Sequence, residues 1–267
     1  MRNIFLSYGT PKFYKARDEL CKSALAVGFD KALGRGPDDL DIAFTKANAE
    51  LLSRPRGGGY WVWKPRIILQ ELRKLEPGDV LVYCDAGRYN YYNLNLFPKA
   101  LIARARKDGM VLNVSMPRHG ALSKWTKRDC LVLLNMDRPE VISKPQIQAC
   151  WSFWTPSEEA FDFLSTWVQH CSDPRIVSDQ PNELGLPNYP DFIDHRHDQS
   201  IFTLLIYKYN MPYLDYTDRG LDRILRLRTK SMLSQRFLAR LDDAERMEGG
   251  SMIAALSKAF FDLRSSR

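Results

Sequence analysis

Short apolar segments alternate with amphipathic helical segments along most of the chain. Apolar runs of strand length end in turn residues or an acid, as in 4–8 before Gly9 and 79–84 before Asp85. Helical periodicity fills the intervals, as in 157–171, where a serine followed by two glutamates marks a helix start. This alternation predicts an α/β fold in which a mainly parallel sheet is flanked by helices.

The boundaries of these elements follow from the pattern. The predicted strands span 4–8, 79–84, 110–114 and 146–154. The predicted helices span 13–27, 39–52, 67–75, 98–107, 124–135, 157–171 and 198–209. A long loop rich in proline and asparagine is predicted over 173–194.

The composition is that of a chain with a packed core. With 267 residues, 45% of them hydrophobic, one large domain with a small appendage is expected. No apolar run reaches the roughly 18–20 residues that cross a bilayer, and the N-terminus lacks signal-peptide features. The five cysteines form no CxxC motif and are expected to be reduced core residues. We therefore expect a cytoplasmic protein, with attachment to the inner face of the plasma membrane as an alternative.

The end of the chain is basic and has no strand signal. We expect a catalytic domain over 1–218 and a basic helical extension over 219–267. Six lysines and arginines with no acid lie between 223 and 240, among apolar residues, in a chain of net charge +7. A basic amphipathic helix over 221–241 predicts contact with an anionic membrane surface. The alternative is a helix packed on the domain, with its arginines solvated.

An acid directly follows the most apolar predicted strand. Segment 79–84 leads into Asp85, which is followed by Ala86 and Gly87. Ligands of open α/β sheets bind outside the carboxyl ends of the strands. An aspartate there, beside two small residues, is suited to ligate a metal that bridges two phosphates. The alternative is a carboxylate that caps a turn.

A cluster of polar groups precedes the predicted helix 198–209. It contains His195, Arg196, His197, Asp198 and Gln199. Together they offer a metal ligand, a phosphate clamp, a carboxylate and an amide. We expect Asp198 to act as a base or to stabilise a transition state, and one histidine, preferably His195, to face the same site. The alternative is a helix cap.

A glycine-rich segment carries aromatic residues. It runs over 57–65 as Gly-Gly-Gly-Tyr-Trp-Val-Trp-Lys-Pro. Glycines permit close approach of the backbone to a ligand, and aromatic rings offer flat surfaces for a base or a sugar. We expect this segment to close over a bound substrate, with Lys64 contacting a phosphate. The alternative is a static element whose tryptophans pack in the core.

These three motifs, together with Cys150-Trp151, resemble small bacterial glycosyltransferases of capsule, lipopolysaccharide and related surface-glycan assembly. The resemblance covers about 1–215. It implies a GT-A-like, Rossmann-type fold, a nucleotide-diphosphate sugar donor and a glycan or lipid-linked acceptor. It also implies a hexosyl transfer and a divalent metal, Mn²⁺ or Mg²⁺.

The resemblance also implies roles for particular residues. The catalytic candidates are His197, Asp198 and Gln199. The candidates for binding the nucleotide sugar are Ser7, Tyr8, Gly9, Gly59, Tyr60, Trp63, Lys64, Asp85, Ala86, Gly87 and Arg196. The metal candidates are Asp85 and His195.

The sequence departs from the family at one point. The family motif is Asp-x-Asp, and Gly87 stands where the second aspartate would be. A second ligand would then come from 195–198, or the metal would be weakly held or absent. Asp198-Gln199 is similar to a pair in retaining enzymes of the glycogenin type, which leaves retention and inversion both open.

Two other classes of function fit parts of the sequence. A different metal-dependent, nucleotide-using transferase would also use a strand-end aspartate, although no GxxxxGK[ST] phosphate loop is present. A basic nucleic-acid-binding module would use the positive charge and the aromatic residues. Because those aromatics fall in one glycine-rich segment and not along a basic strand surface, no nucleic-acid partner is expected.

Overall fold

The computed structural model describes residues 1–87, 94 and 97–214. Its centre is one five-stranded sheet of order β2-β1-β3-β5-β4. The strands are β1 Asn3–Tyr8, β2 Lys31–Arg35, β3 Val80–Cys84, β4 Met110–Val111 and β5 Trp151–Trp154. β1 is parallel to β2 and to β3, whereas β5 runs antiparallel to both β3 and β4. The predicted α/β fold with a mainly parallel sheet flanked by helices is confirmed.

Helices and helical turns connect and cover these strands. The α-helical segments are α1 Tyr14–Ala26, α2 Ile42–Ala47, α3 Ala49–Leu52, α4 Gly57–Tyr60, α5 Trp63–Leu72, α6 Lys99–Asp108, α7 Arg128–Leu133, α8 Pro139–Ile142, α9 Glu158–Cys171, α10 Pro174–Val177 and α11 Asp198–Lys208. Short 3₁₀ turns lie at Pro11–Phe13, Pro37–Asp39, Pro117–His119 and Leu122–Lys124.

The two faces of the sheet belong to different cores, because successive side chains of a strand point to opposite faces. One core contains strand residues Ile4, Leu6, Tyr8, Leu81 and Tyr83, together with the apolar faces of α5, α9 and α11. The other contains Phe5, Val80, Val82 and Cys84, together with α1 and α6. The sheet is therefore covered on both faces.

Several chain segments meet at one end of the sheet, the end formed by the carboxyl termini of the parallel strands, which we call the carboxyl edge. β1, β2 and β3 end there at their carboxyl ends, while the antiparallel β5 begins there, with Cys84 opposite Trp151. The amide N–H of Asp85 donates to the carbonyl of Cys150 at 2.8 Å. The residue that follows β3 is thus fixed against the residue that precedes β5.

The structure differs from the predicted boundaries at several points. The strand β2 was not predicted, because its sequence Lys-Ala-Leu-Gly-Arg lacks an apolar run. The predicted helix 39–52 is divided, since Asp41 caps α2 and Asn48 leaves helical geometry before α3. The predicted strand 146–154 is regular only in its last four residues. The predicted helix 124–135 is α-helical only over Arg128–Leu133.

The predicted basic extension at 219–267, including 221–241, lies outside the described residues. Within the part that is described, no helix is both long and apolar enough to cross a membrane.

A buried carboxylate joins the starts of β1 and β3. Asp79 accepts hydrogen bonds from the amide N of Arg2 at 2.7 Å, from its Nε at 3.0 Å and from the amide N of Glu76 at 3.3 Å. These bonds, above all those from the Arg2 side chain, lower the pKa of Asp79 to about 2. Because the ionised form is the one that is bonded, the stabilisation is present above the unfolded pKa and is lost on acidification.

We expect Asp79→Asn to lower the free energy of unfolding by about 1–3 kcal/mol near neutral pH. The difference from the wild type should shrink as the pH falls from about 4 to about 2, because the wild-type carboxyl is protonated in that window. Urea denaturation at a series of pH values measures this. Exposed Asp162, replaced by asparagine, is the control. A difference that stays constant with pH would contradict this account.

Candidate active site

A buried lysine joins two carboxylates at the carboxyl edge of the sheet. Lys64, in the first turn of α5, places its Nζ 2.8 Å from Asp198 Oδ2 and 3.2 Å from Asp85 Oδ1. It also donates to the carbonyl of Ala149 at 3.3 Å. The side chains of Lys64 and Asp198 are each 4% exposed and that of Asp85 is 22% exposed. Asp85 is therefore the member of the cluster that a ligand reaches most easily.

Asp85 is held in one orientation. The hydroxyl of Tyr83 donates to Asp85 Oδ1 at 2.6 Å. Tyr83 and Asp85 are two residues apart at the end of β3, so their side chains lie on the same face. The residues after Asp85 are small: Ala86 is half-buried and Gly87 is buried. Tyr83 thus fixes the carboxylate, and the two residues that follow Asp85 carry no large side chain.

The charges of the cluster depend on one another. Burial lowers the pKa of Lys64, but attraction to Asp198 and Asp85 outweighs burial, and the pKa lies above its ordinary value. Burial raises the pKa of Asp198 to about 6, against the opposing effect of Lys64. Burial also raises the pKa of Tyr83, so its hydroxyl stays protonated and donates. Lys64 is therefore an ammonium ion near neutral pH.

A strained turn places Asp198 at the start of α11. His197 has φ 49° and ψ −121°, a conformation that costs a non-glycine residue about 1–3 kcal/mol. The turn is closed by the amide N of Gln199, which donates to the carbonyl of Arg196 at 3.0 Å. His197 Nδ1 is bonded to the carbonyl of Val177 at 2.7 Å. The strained backbone is thus held from both sides, and Asp198 is fixed at a helix N-terminus, which favours its negative charge.

The glycine-rich segment forms a left-handed turn immediately before Lys64. Five consecutive residues have positive φ: Gly57 61°, Gly58 59°, Gly59 95°, Tyr60 54° and Trp61 59°. Glycine is required here for space as well as for φ. A Cβ on Gly59 would lie 2.7 Å from the Cα of Leu52, and one on Gly57 would clash with the ring of Trp61.

The aromatic residues of this segment pack against the protein. Trp63 stacks on Tyr8 at the end of β1, with ring centroids 3.8 Å apart. Tyr60 and Trp61 stack on His197 at 4.9 and 5.6 Å. This geometry favours the alternative of a packed element over a segment that closes on a substrate. The turn connects the end of β1 to the strained turn before α11.

The hydrogen bonds of His195 do not suit a metal ligand. Its Nδ1 accepts from the amide N of Lys127 at 3.2 Å, and its Nε2 lies 2.9 Å from the carbonyl of Ile176. Burial lowers the pKa of His195 well below its ordinary value, so the ring is neutral. Because both ring nitrogens have backbone partners, the geometry does not support the expected metal pair of Asp85 and His195.

The remaining polar residues of the same segment differ in role. Gln199 donates to Gln146 Oε1 at 2.9 Å, which ties α11 to the segment before β5. Arg196 is exposed, and its guanidinium carbon lies 4.6 Å from the ring centroid of Trp125. Gln199 therefore supports the scaffold, whereas Arg196 presents a guanidinium at the surface.

The expected nucleotide-binding residues Ser7, Tyr8 and Gly9, the last two residues of β1 and the one that follows, lie at the same end of the sheet as Asp85. Ser7 is fully buried, and its Oγ has no hydrogen-bond partner within the described part of the chain. The amide N of Gly9 donates to the carbonyl of Arg35 at 3.0 Å, which joins the ends of β1 and β2. Tyr8 is covered by Trp63.

The site does not fit a divalent metal held by both carboxylates. The ammonium of Lys64 already lies between Asp85 and Asp198. A divalent ion about 5 Å from that ammonium would be repelled by about 7 kcal/mol at an effective dielectric constant of about 20. Among residues 1–87, 94 and 97–214, no group of three His, Cys, Asp or Glu residues is arranged to hold a metal.

Sequence reasoning did not find Tyr83, and it named Lys64 for a different contact from the ion pairs that Lys64 makes. Lys64 was expected to contact a phosphate, but it lies on the buried face of α5 together with Ile67, Ile68 and Glu71. Lys64 is in helical phase with apolar residues three and four positions later, which places it on the core-facing side of α5, and a charge buried there requires an opposite charge. Tyr83 was read only as a strand residue, although its distance of two residues from Asp85 implies a shared face.

No protein-family model and no curated protein matches the chain. Among solved structures it resembles the bifunctional glycosyltransferase WbbM in its apo form, at 10% identity and a TM-score of 0.43, over 78% of this chain and 38% of that one. It resembles a glycosyltransferase involved in the glycosylation of the major capsid of PBCV-1, at 11% identity and a TM-score of 0.39, over 98% and 100% of the two chains. It also resembles mouse xyloside xylosyltransferase 1 in its apo form, at 14% identity and a TM-score of 0.41, over 84% and 93%. At these TM-scores an activity has to be argued from the residues of the site.

We expect Gly59→Ala to lower the free energy of unfolding by about 2–5 kcal/mol, because positive-φ strain adds to the clash with the backbone of 51–52. Gly185→Ala is the matched control, since Gly185 also has positive φ, 78°, but nothing lies within 4 Å of its added Cβ. It should cost about 1 kcal/mol. Chemical denaturation compares the two. Equal losses would indicate that the glycine turn yields and is not a packed element.

Proposed function

We propose that the protein is a glycosyltransferase that moves a sugar from a nucleotide-diphosphate sugar to a glycan or lipid-linked acceptor in surface-polysaccharide assembly. One observation carries this proposal. A partly accessible carboxylate, Asp85, ends a central strand and is held by Tyr83 and a buried lysine. It lies at the sheet edge where ligands of open α/β folds bind.

The topology supports a GT-A-like assignment. The parallel strands β2, β1 and β3 form the half of the sheet that would hold the nucleotide. The antiparallel β5 begins beside Asp85, so donor and acceptor would approach from neighbouring segments. The resemblance of the motifs at 57–65, 85–87 and 195–200 to surface-glycan enzymes agrees with this assignment.

The chemistry of sugar transfer matches the charges available. Positive charge develops at the anomeric carbon, and a fixed carboxylate stabilises it. We assign this role to Asp85 because it is the most accessible acid of the cluster. Asp198 and Lys64 hold Asp85 in place from the buried side. Arg196, stacked on Trp125 and without an ion pair among the described residues, is our candidate for a phosphate contact.

A divalent metal would supply further charge to the leaving diphosphate if the nucleotide brought one. Because the Lys64 ammonium lies 3.2 Å from Asp85 and 2.8 Å from Asp198, such an ion would be held by the diphosphate and not by the two carboxylates. The packing of Tyr60, Trp61 and Trp63 against other rings disfavours nucleic-acid binding by this segment.

A donor panel tests the proposal. Purified protein is incubated with UDP-, GDP-, CMP- and dTDP-activated sugars, with and without Mn²⁺, and release of the nucleotide by slow donor hydrolysis is measured. One class of donor should be hydrolysed above background. No hydrolysis of any donor, together with no thermal stabilisation by any nucleotide, would refute the proposal.

In that assay, Asp85→Asn should reduce turnover by about 10²-fold or more, because a fixed electrostatic stabiliser is lost while the shape is kept. Asp137→Asn is a matched control. Asp137 also accepts from a tyrosine hydroxyl, Tyr189 at 2.7 Å, and pairs with a cation, Arg128 at 2.7 Å, but lies outside the cluster. Turnover within about threefold of the wild type in Asp85→Asn would remove Asp85 from the chemistry.

A further inference from the structure

The environment of the Lys64 ammonium is made of oxygen atoms. It has carboxylate oxygens of Asp198 at 2.8 Å and of Asp85 at 3.2 Å, and the carbonyl oxygen of Ala149 at 3.3 Å. Two carboxylates and a backbone carbonyl are also the ligands that hard divalent cations prefer in proteins. These oxygen atoms therefore form a cation site, and the cation that occupies it is the ammonium of Lys64.

The occupant is fixed by the fold. Lys64 is 3% exposed and is flanked by the buried residues Trp63 and Pro65 at the start of α5. The left-handed turn before α5 and the strained turn before α11 hold the lysine and Asp198 toward each other. Removing the ammonium from this position would leave two carboxylates facing each other in a buried site.

We propose that Lys64 is a resident cation that occupies the place of a divalent metal between Asp85 and Asp198. It acts as a positioning residue: it holds the two carboxylates together and leaves the accessible side of Asp85 to the substrate. The assignment of a substrate-facing side rests on the proposed transferase function, whereas the occupancy of the cation site does not. In this arrangement the site has its cation without taking one from solution.

The proposal predicts that a metal site appears when the lysine is shortened. Lys64→Ala should bind Mn²⁺ at least about tenfold more tightly than the wild type, because two carboxylates and a carbonyl then surround an open position. Electron paramagnetic resonance of free Mn²⁺, measured without any nucleotide, gives both affinities. Lys64→Ala/Asp198→Asn should lose the gained binding, since one of the two carboxylates is neutralised.

Lys127→Ala is the matched control. Lys127 is also buried, but its Nζ donates to the carbonyl of Gln180 and forms no ion pair within the described residues. This variant should bind Mn²⁺ as weakly as the wild type does. Circular dichroism verifies that each variant is folded. Should Lys64→Ala fail to fold, Lys64→Gln provides the comparison, since the glutamine is uncharged, is shorter than the lysine and offers an amide oxygen as a further ligand.

Two results would overturn the proposal. One is tight Mn²⁺ binding by the wild type that Asp85→Asn abolishes, which would place the metal on Asp85 beside the lysine. The other is a folded Lys64→Ala or Lys64→Gln variant whose Mn²⁺ affinity equals that of the wild type. Mn²⁺ binding requires no turnover. A negative donor panel would therefore refute the transferase function, while the Mn²⁺ affinities would still test whether Lys64 occupies a cation site.

Discussion

The structure depends on the pairing of one buried ammonium with two carboxylates. An unpaired charge in the interior is very costly, so Lys64 can be 4% exposed only while Asp198 and Asp85 stay beside it. The three charged residues come from three separate segments: Lys64 from the start of α5, Asp85 from the residue after β3 and Asp198 from the start of α11. Because these charges must lie together, the starts of α5 and α11 are fixed in position against the end of β3. Replacing one of these three residues by a neutral one therefore takes a partner away from another buried charge.

Both helices reach the cluster through backbone conformations that are unfavourable in isolation. Five residues with positive φ precede Lys64, and His197, at φ 49°, precedes Asp198. The two strained segments contact each other, because the rings of Tyr60 and Trp61 stack on the imidazole of His197. The packing energy of these rings offsets the strain, and each turn restricts the other. The aromatic residues that suggest ligand contact in the sequence thus serve to hold the two charged side chains in position.

Much of the fold could be predicted from the sequence, but the contacts between the side chains of the site could not. The strand and helix alternation identified the sheet, and the capping serine identified α9, because these signals are local. Asp85 and Asp198 were singled out through local patterns as well. Which groups contact them depends on tertiary packing: His195 and His197 both bond to carbonyls of α10, and nothing in their spacing indicates that. The strand β2 was missed because its composition is not that of a strand; it is a strand because it pairs with β1.

The two carboxylates differ in their surroundings. Asp198 is enclosed, and its pKa of about 6 reflects burial that the lysine only partly offsets. Asp85 is 22% exposed and accepts from a tyrosine whose own pKa is raised by burial. A group whose charge is held by the protein on one side and open on the other is suited to meet a developing positive charge without reorganisation. Asp198, by contrast, is enclosed, and it contacts the ammonium of Lys64, which in turn pairs with Asp85.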